Sequence, residues 1–372
     1  MNSLSPARVF CLLTLVPLAP LQTQALTNGV PMSLLWSIQP DSVPYMTSSS
    51  STERGVAYDP QSGHVLLVSR APGVGGLEIE VLDKLTGARI GTLNTGGISG
   101  GFFPLSQIDV ASDGSIYAAN LTLNSTTTPY TIYRWANESA APVVAYSGDP
   151  SNGAGTRWGD SFRIRGSGPG TQIISASGLG TTTASLFQTS DGNSFNPTLL
   201  NVTGINPGEI SLSLAFGTGN TFYGVRNGGA TGRLVSFDPA TGQAQTIGSL
   251  RLRNPNWPNA SVSAIGVSLS RGIMLGAATA FNSGVVQYAA AYDLGSVLNG
   301  PLNPTDLIPF QTTNPDNVGV SGAVAWDDAD GIAFILDTNN GLMAVTVPEP
   351  QPLALMALFG AAAIALRQRR QA

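Results

Sequence analysis

Short apolar runs alternate with polar, glycine-rich turns along most of the chain, and one plan of strands and turns returns six times. Residues Gly55–Ser69 predict two strands about a tight turn, and Leu77–Leu93 predicts a second hairpin around Asp83–Gly87. The plan recurs as Ile108–Ala119 with Tyr130–Trp135 and Pro142–Tyr146, then as Ser161–Ala176 with Ala184–Thr189 and Thr198–Val202. It recurs again as Leu212–Val225 with Arg233–Ile247, as Ser263–Ala278 with Val285–Asp293, and as Gly322–Asp337 with Leu342–Val347. Measured between the first-turn glycines Gly63, Gly114, Gly170, Gly219, Gly272 and Gly331, the steps are 51, 56, 49, 53 and 59 residues.

About four short strands per step of this length is the pattern of a propeller blade. Residues 26–347 are therefore expected to form an all-β body, a six-bladed β-propeller. The sixth copy supplies only three strands, while Leu34–Ile38 is a strand with no partner in its own neighbourhood. It is predicted to complete the last blade as its outermost strand, which would leave no open edge at the seam. The hairpins at Asp83–Gly87 and Asp238–Gly242 share the pattern D-x-x-T-G and resemble the second hairpins of bacterial β-propeller repeats, quinoprotein-like ones included. The pattern is that of a turn, in which Asp bonds nearby amides and Gly supplies a positive φ. It carries no argument for a bound quinone.

The two ends read differently from the body. Met1–Ala25 has one basic residue, Arg8, then an apolar run from Val9 to Leu21 and a small-residue stretch ending at Ala25, the layout of a secretory signal peptide. The only cysteine, Cys11, lies inside it, so a body freed of this leader has neither disulfides nor cysteine-bound metal. At the other end, residues 348–372 hold a proline-rich hinge, an apolar run Leu353–Leu366 and a basic end over 367–370. A fourteen-residue helix is roughly 21 Å long, short for a hydrocarbon core of about 30 Å. Arg367, Arg369 and Arg370 would act as the membrane stop, snorkelling to headgroups and placing that end in the cytoplasm with the body outside. Val347-Pro348-Glu349-Pro350, the apolar run and the arginine cluster together resemble the PEP-CTERM sorting signal of bacterial envelope proteins. That resemblance covers about 26 of the 372 residues. It implies a sorting motif at Pro348, Glu349 and Pro350, and a membrane-embedded exosortase that recognises and processes the tail. It also implies an exported protein of the cell envelope or extracellular matrix, held to the membrane at least transiently through the tail, with extracellular polysaccharide as a partner.

Composition narrows the chemistry. Charged residues are only 10 % of the chain, Lys84 is its one lysine, and the net charge of −5 argues against nucleic acid, which needs basic patches. His64 is the only histidine, too few for a three-ligand zinc site. It reads as a turn residue facing solvent. Before the innermost strands of the first four copies stand Glu53, Gln107, Asp160 and Glu209, expected to ring one mouth of the channel. Such oxygens could hold Ca²⁺ or serve as an acid/base pair; the plainer reading is wet residues flanking strands. Arg157, Trp158 and Asp160, with Arg163 and Arg165 nearby, could dock a sugar ring or an anionic polysaccharide, although Trp158 reads more readily as a packing residue between neighbouring blades, as does Trp257. The favoured reading is a non-enzymatic binding or scaffold protein with no cofactor. The alternative is a Ca²⁺-dependent, lactonase-like hydrolase acting at the channel mouth.

Overall fold

A computed structural model describes residues 31–226, 232–252, 262–278, 286–298, 301–302, 306–310 and 321–348. The leader, Glu349, Pro350, the run 353–366, the arginines Arg367, Arg369 and Arg370, and Trp257 lie outside the described residues. The strands in chain order are β1 (Ser33–Ile38), β2–β5 (Val56–Asp59, His64–Ser69, Glu78–Asp83, Arg89–Thr92) and β6–β9 (Phe103–Val110, Ile116–Leu121, Tyr130–Trp135, Val143–Gly148). Next come β10–β13 (Arg163–Arg165, Gln172–Ala176, Thr183–Thr189, Phe195–Thr203) and β14–β17 (Ser213–Phe216, Thr221–Val225, Gly232–Phe237, Gln243–Leu252). The last are β18–β20 (Val262–Ser268, Ile273–Ala278, Tyr288–Asp293), β21 (Pro301–Leu302), β22 (Asp306–Pro309) and β23–β25 (Gly322–Asp327, Ile332–Asp337, Gly341–Thr346). Among the described residues the only helical elements are two 3-10 turns, Pro72–Val74 and Gly168–Gly170.

The strands form antiparallel meanders. Four sheets have four strands each: β2-β3-β4-β5, β6-β7-β8-β9, β18-β19-β20-β22 and β1-β25-β24-β23. The fifth sheet has nine, because the meanders β10–β13 and β14–β17 are joined by a short parallel pairing of Asn201–Thr203 with Gln243–Gln245, and β21 adds to β17. The repeat pattern did not announce that junction. First strands pack side by side around a circuit: β2 by β6, β6 by β10, β10 by β14, β14 by β18, β18 by β23, and β23 back to β2.

Packing explains why several strands read as continuous apolar runs rather than alternating ones. In β3, Val65 and Leu67 join Phe334 and Leu82 in a core on one side of the sheet. Leu66 and Val68 join Ile108 and Trp135 in a core on the other. With both faces buried against neighbouring sheets, all four positions from Val65 to Val68 are apolar. Turn chemistry also follows the sequence. Gly63, Gly114, Gly219, Gly272 and Gly331 all take positive φ; the third copy instead turns through Gly168–Gly170. In the two D-x-x-T-G hairpins, Asp83 accepts from the amides of Leu85 and Thr86, Asp238 accepts from Ala240, and Gly87 and Gly242 stand at φ 69° and 73°.

The orphan strand pairs as expected: β1 lies antiparallel to β25, from Ser33 opposite Thr346 to Ile38 opposite Leu342. Its Trp36 reaches across the seam, donating its indole N–H to the carbonyl of Lys84 at 2.8 Å. Lys84 in turn bonds Asp327 and Asp330 of the last meander, each at 2.7 Å. His64 differs from expectation. It is half-buried, with Nδ1 2.9 Å from the Glu138 carboxylate, because the next meander packs over that turn.

Candidate functional site

The first strands surround a cavity of 490 Å³ at the ends where they run into their turns. Each contributes a wall residue: Tyr58, Asp109, Arg165, Phe216, Val267 and Trp326. All six are half-buried, as the wall of an open cavity requires. Five of them stand five residues before their turn glycine, and Phe216 stands three before Gly219.

Arg163 is buried among the lining residues. Its Nε donates to the Leu214 carbonyl at 3.0 Å, and its Nη2 donates to those of Ile265 at 3.1 Å and Val324 at 2.9 Å. The reason lies in the geometry of innermost strands, which have a ladder partner on one side only and carry unpaired backbone groups toward the axis. One guanidinium with five N–H donors in a planar fork can serve three such strands at once. Ser213 adds a smaller example, accepting the Ile265 amide at 3.0 Å. Burial pushes the Arg163 guanidinium below its ordinary pKa, with the Asp109 charge pulling it back. Burial likewise raises the Asp109 carboxyl, partly offset by Arg163 and by amide bonds from Ile164 at 2.8 Å and Val110 at 3.0 Å.

The rim is aromatic and polar together. The Arg165 guanidinium lies 4.4 Å from the centroid of the Phe216 ring and its Nε bonds Gln172 Oε1 at 2.8 Å. Trp326 has an indole N–H with no partner among the described residues. Asp327 is raised by burial, but bonds from Lys84 and Tyr58 outweigh that and hold it below its ordinary value. This wall can stack a flat or ring-shaped ligand and offer it both donors and acceptors.

The sequence-predicted residues stand toward the opposite end of the first strands. Glu53 is buried and accepts from the Thr47 amide at 3.2 Å and from Thr52 Oγ1 at 2.5 Å. Burial raises its carboxyl despite those bonds. Gln107 donates to the Arg54 carbonyl at 3.0 Å, and Asp160 pairs with Arg54 at 2.8 Å and with Arg157 at 2.5 Å. Two of the four, Gln107 and Asp160, therefore bond Arg54, and Glu53 only precedes it in the chain. Glu209 stands apart, paired with Arg233 at 2.8 Å; burial raises it, and the bonds from Arg233 and Asn206 more than offset that. As a calcium cradle the set fits poorly: the positive charge beside Asp160 is a guanidinium, and among the described residues no three His, Cys, Asp or Glu side chains form a metal-ligating group. Trp158 is fully buried against Tyr130, so it packs and offers no face for a sugar. The signal that could have found the axial wall was the spacing to the turn glycine.

Comparison with known proteins settles the tail. Residues 346–370 match the PEP-CTERM protein-sorting motif. The chain carries a PEP-CTERM sorting signal. That signal marks an exosortase-processed, exported protein associated with the envelope. Residues 37–177 match DUF4623, a domain of unknown function. The fold is similar to the crystal structure of a DUF4623 family protein from Bacteroides eggerthii, at 17 % identity and a TM-score of 0.62, covering 86 % of this chain and 76 % of that one. A second similar structure is the β-propeller domain of Cps50 (Swd1) from Myceliophteria thermophila, at 11 % identity, a TM-score of 0.45, and coverage of 80 % and 83 %. The meanders of the PEP-CTERM protein, set side by side around a circuit, give it a propeller-like architecture. No curated protein matches it in sequence. Among the described residues no helix is long and apolar enough to cross a membrane.

Proposed function

We propose that this PEP-CTERM protein is a non-enzymatic envelope or matrix component whose body is a six-bladed propeller that binds carbohydrate in its axial cavity. Six blades are supported by the circuit of six first strands, with the nine-stranded sheet counted as two blades joined at their outer strands. The observation that carries the binding reading is the cavity wall, where every first strand contributes a half-buried residue and aromatic rings stand beside charged groups. A sugar ring answers both features, its apolar face stacking on aromatic rings and its hydroxyls bonding the polar groups beside them. Extracellular polysaccharide is the polymer that an exported matrix protein meets.

The test is calorimetric titration of the mature body with oligosaccharides cut from the host's own extracellular polysaccharide. Binding that Trp326→Ala weakens at least several-fold, without moving the melting temperature by more than a few degrees, supports the reading. No heat of binding to any fragment, or binding indifferent to Trp326→Ala, overturns it.

The calcium-dependent hydrolase makes a separate prediction. A metal held only by the native state raises the melting temperature with its concentration. Because Asp160 and Glu209 are already paired with arginines, the expected result is no shift on calcium titration. A rise that Glu53→Gln abolishes would restore the enzymatic reading.

A further inference from the structure

The axial cavity and the exit of the sorting tail share one face of the body. Val347, the residue before Pro348, is 2 % exposed; its amide donates to the Gly331 carbonyl at 2.7 Å, and its carbonyl accepts from Arg271 Nη1 at 3.3 Å. Arg271 also donates from Nη2 to the Asp328 carbonyl at 2.9 Å, and Asp328 lines the axial cavity. Ala329 lines both that cavity and a second one of 480 Å³ bounded by Ser33, Val347 and Pro348. The chain thus leaves the folded body one turn away from the axial mouth, and Arg271 ties the two together.

Only Pro348–Pro352, five residues, separate that fixed point from the apolar run beginning at Leu353. Fully extended, five residues reach at most about 18 Å. The headgroup layer takes up roughly 5–8 Å of this. What remains is on the order of 10 Å, about the spacing of two packed sheets and less than a folded partner needs.

We propose that in the exported precursor this face is turned to the membrane, so that the axial cavity is closed to polymers and folded partners until the tail is removed. Processing then does two things, releasing the body and opening its binding cavity. Small solutes still reach the cavity in the precursor, because a gap of about 10 Å passes them. The proposal rests on the reading of 353–366 as a membrane segment.

The test uses the full-length chain in a host lacking the processing enzyme, with Cys11→Ser as background. One variant carries Leu269→Cys, an exposed residue lining the axial cavity, and another carries Leu179→Cys, an exposed residue in the β11–β12 connection at the other end of the strands. Both are reacted in isolated membranes with a small maleimide and with a maleimide on a bulky polyethylene glycol. The expected result is equal reaction with the small reagent and a several-fold slower bulky reaction at Leu269→Cys alone. A flexible insert of about twenty residues between Pro352 and Leu353 should restore that rate. Equal bulky reaction at both positions in a membrane-held chain overturns the proposal. A chain that alkaline carbonate washes off the membrane sinks the membrane reading itself, and the orientation falls with it. If Leu269→Cys is silent to the small reagent even with the insert, Ser112→Cys, exposed on the same cavity, takes its place.

Discussion

Replacing Arg163 with Met should lower the unfolding free energy of the body by about 3–5 kcal/mol, the cost of removing one partner from a buried charged network. Met keeps roughly the length of the side chain and its apolar stem, so the loss isolates the guanidinium. Three carbonyls on three strands, those of Leu214, Ile265 and Val324, lose a donor at once. Asp109 loses the one cation that offsets its burial. Urea denaturation of the mature body measures the effect, and adding Asp109→Asn should recover part of it, because the second change removes the charge the first one stranded. Arg163→Lys should be nearly as damaging as Met, since a point charge cannot span three acceptors. A loss under about 1 kcal/mol for Arg163→Met would mean that the axial backbone groups find other partners at no cost.

Deleting β1 should be more damaging still. A chain beginning at Gln39 bares the whole of β25, whose Leu342, Met343, Ala344 and Val345 are buried beneath the ladder. An apolar edge strand with free amides is a template for association. The same cut removes Trp36 from the Lys84 carbonyl and from the turn at Gly87, where a Cβ would stand 2.8 Å from the indole ring. The expected outcome is loss of a cooperative melt and the appearance of oligomers by size exclusion. The graded control is Trp36→Ala, which should cost about 2–3 kcal/mol, below the usual range for a fully buried Trp because this one is half-exposed. A monomeric truncated chain melting within a few degrees of the full body would show that β1 decorates the seam without closing it.

Much of the fold was legible in the sequence because its determinants are local. The period near fifty residues, the turn glycines and the D-x-x-T-G hairpins each depend on contacts a few residues apart, and they landed where expected except at Gly170, which lies in a 3-10 turn without positive φ. The closing strand was legible by arithmetic, since one copy lacked a strand and one strand lacked a neighbour. Glu53, Gln107, Asp160 and Glu209 were singled out for standing before inner strands; Glu53, Asp160 and Glu209 do stand there, whereas Gln107 lies inside β6. Their chemistry did not follow, because pattern alone is blind to Arg54 and Arg233 arriving from other segments.

By itself, then, the sequence determined an all-β repeat body, the strand that finishes it and the sorting tail, all written in short-range periodicity and a contiguous motif. Only the tertiary structure decided which end of the inner strands forms the cavity and that Arg163 is the residue tying those strands together. It also decided that the tail leaves beside that mouth. Arg163 finds its acceptors 51, 102 and 161 residues away, and such partners exist only once the circuit of strands has come together.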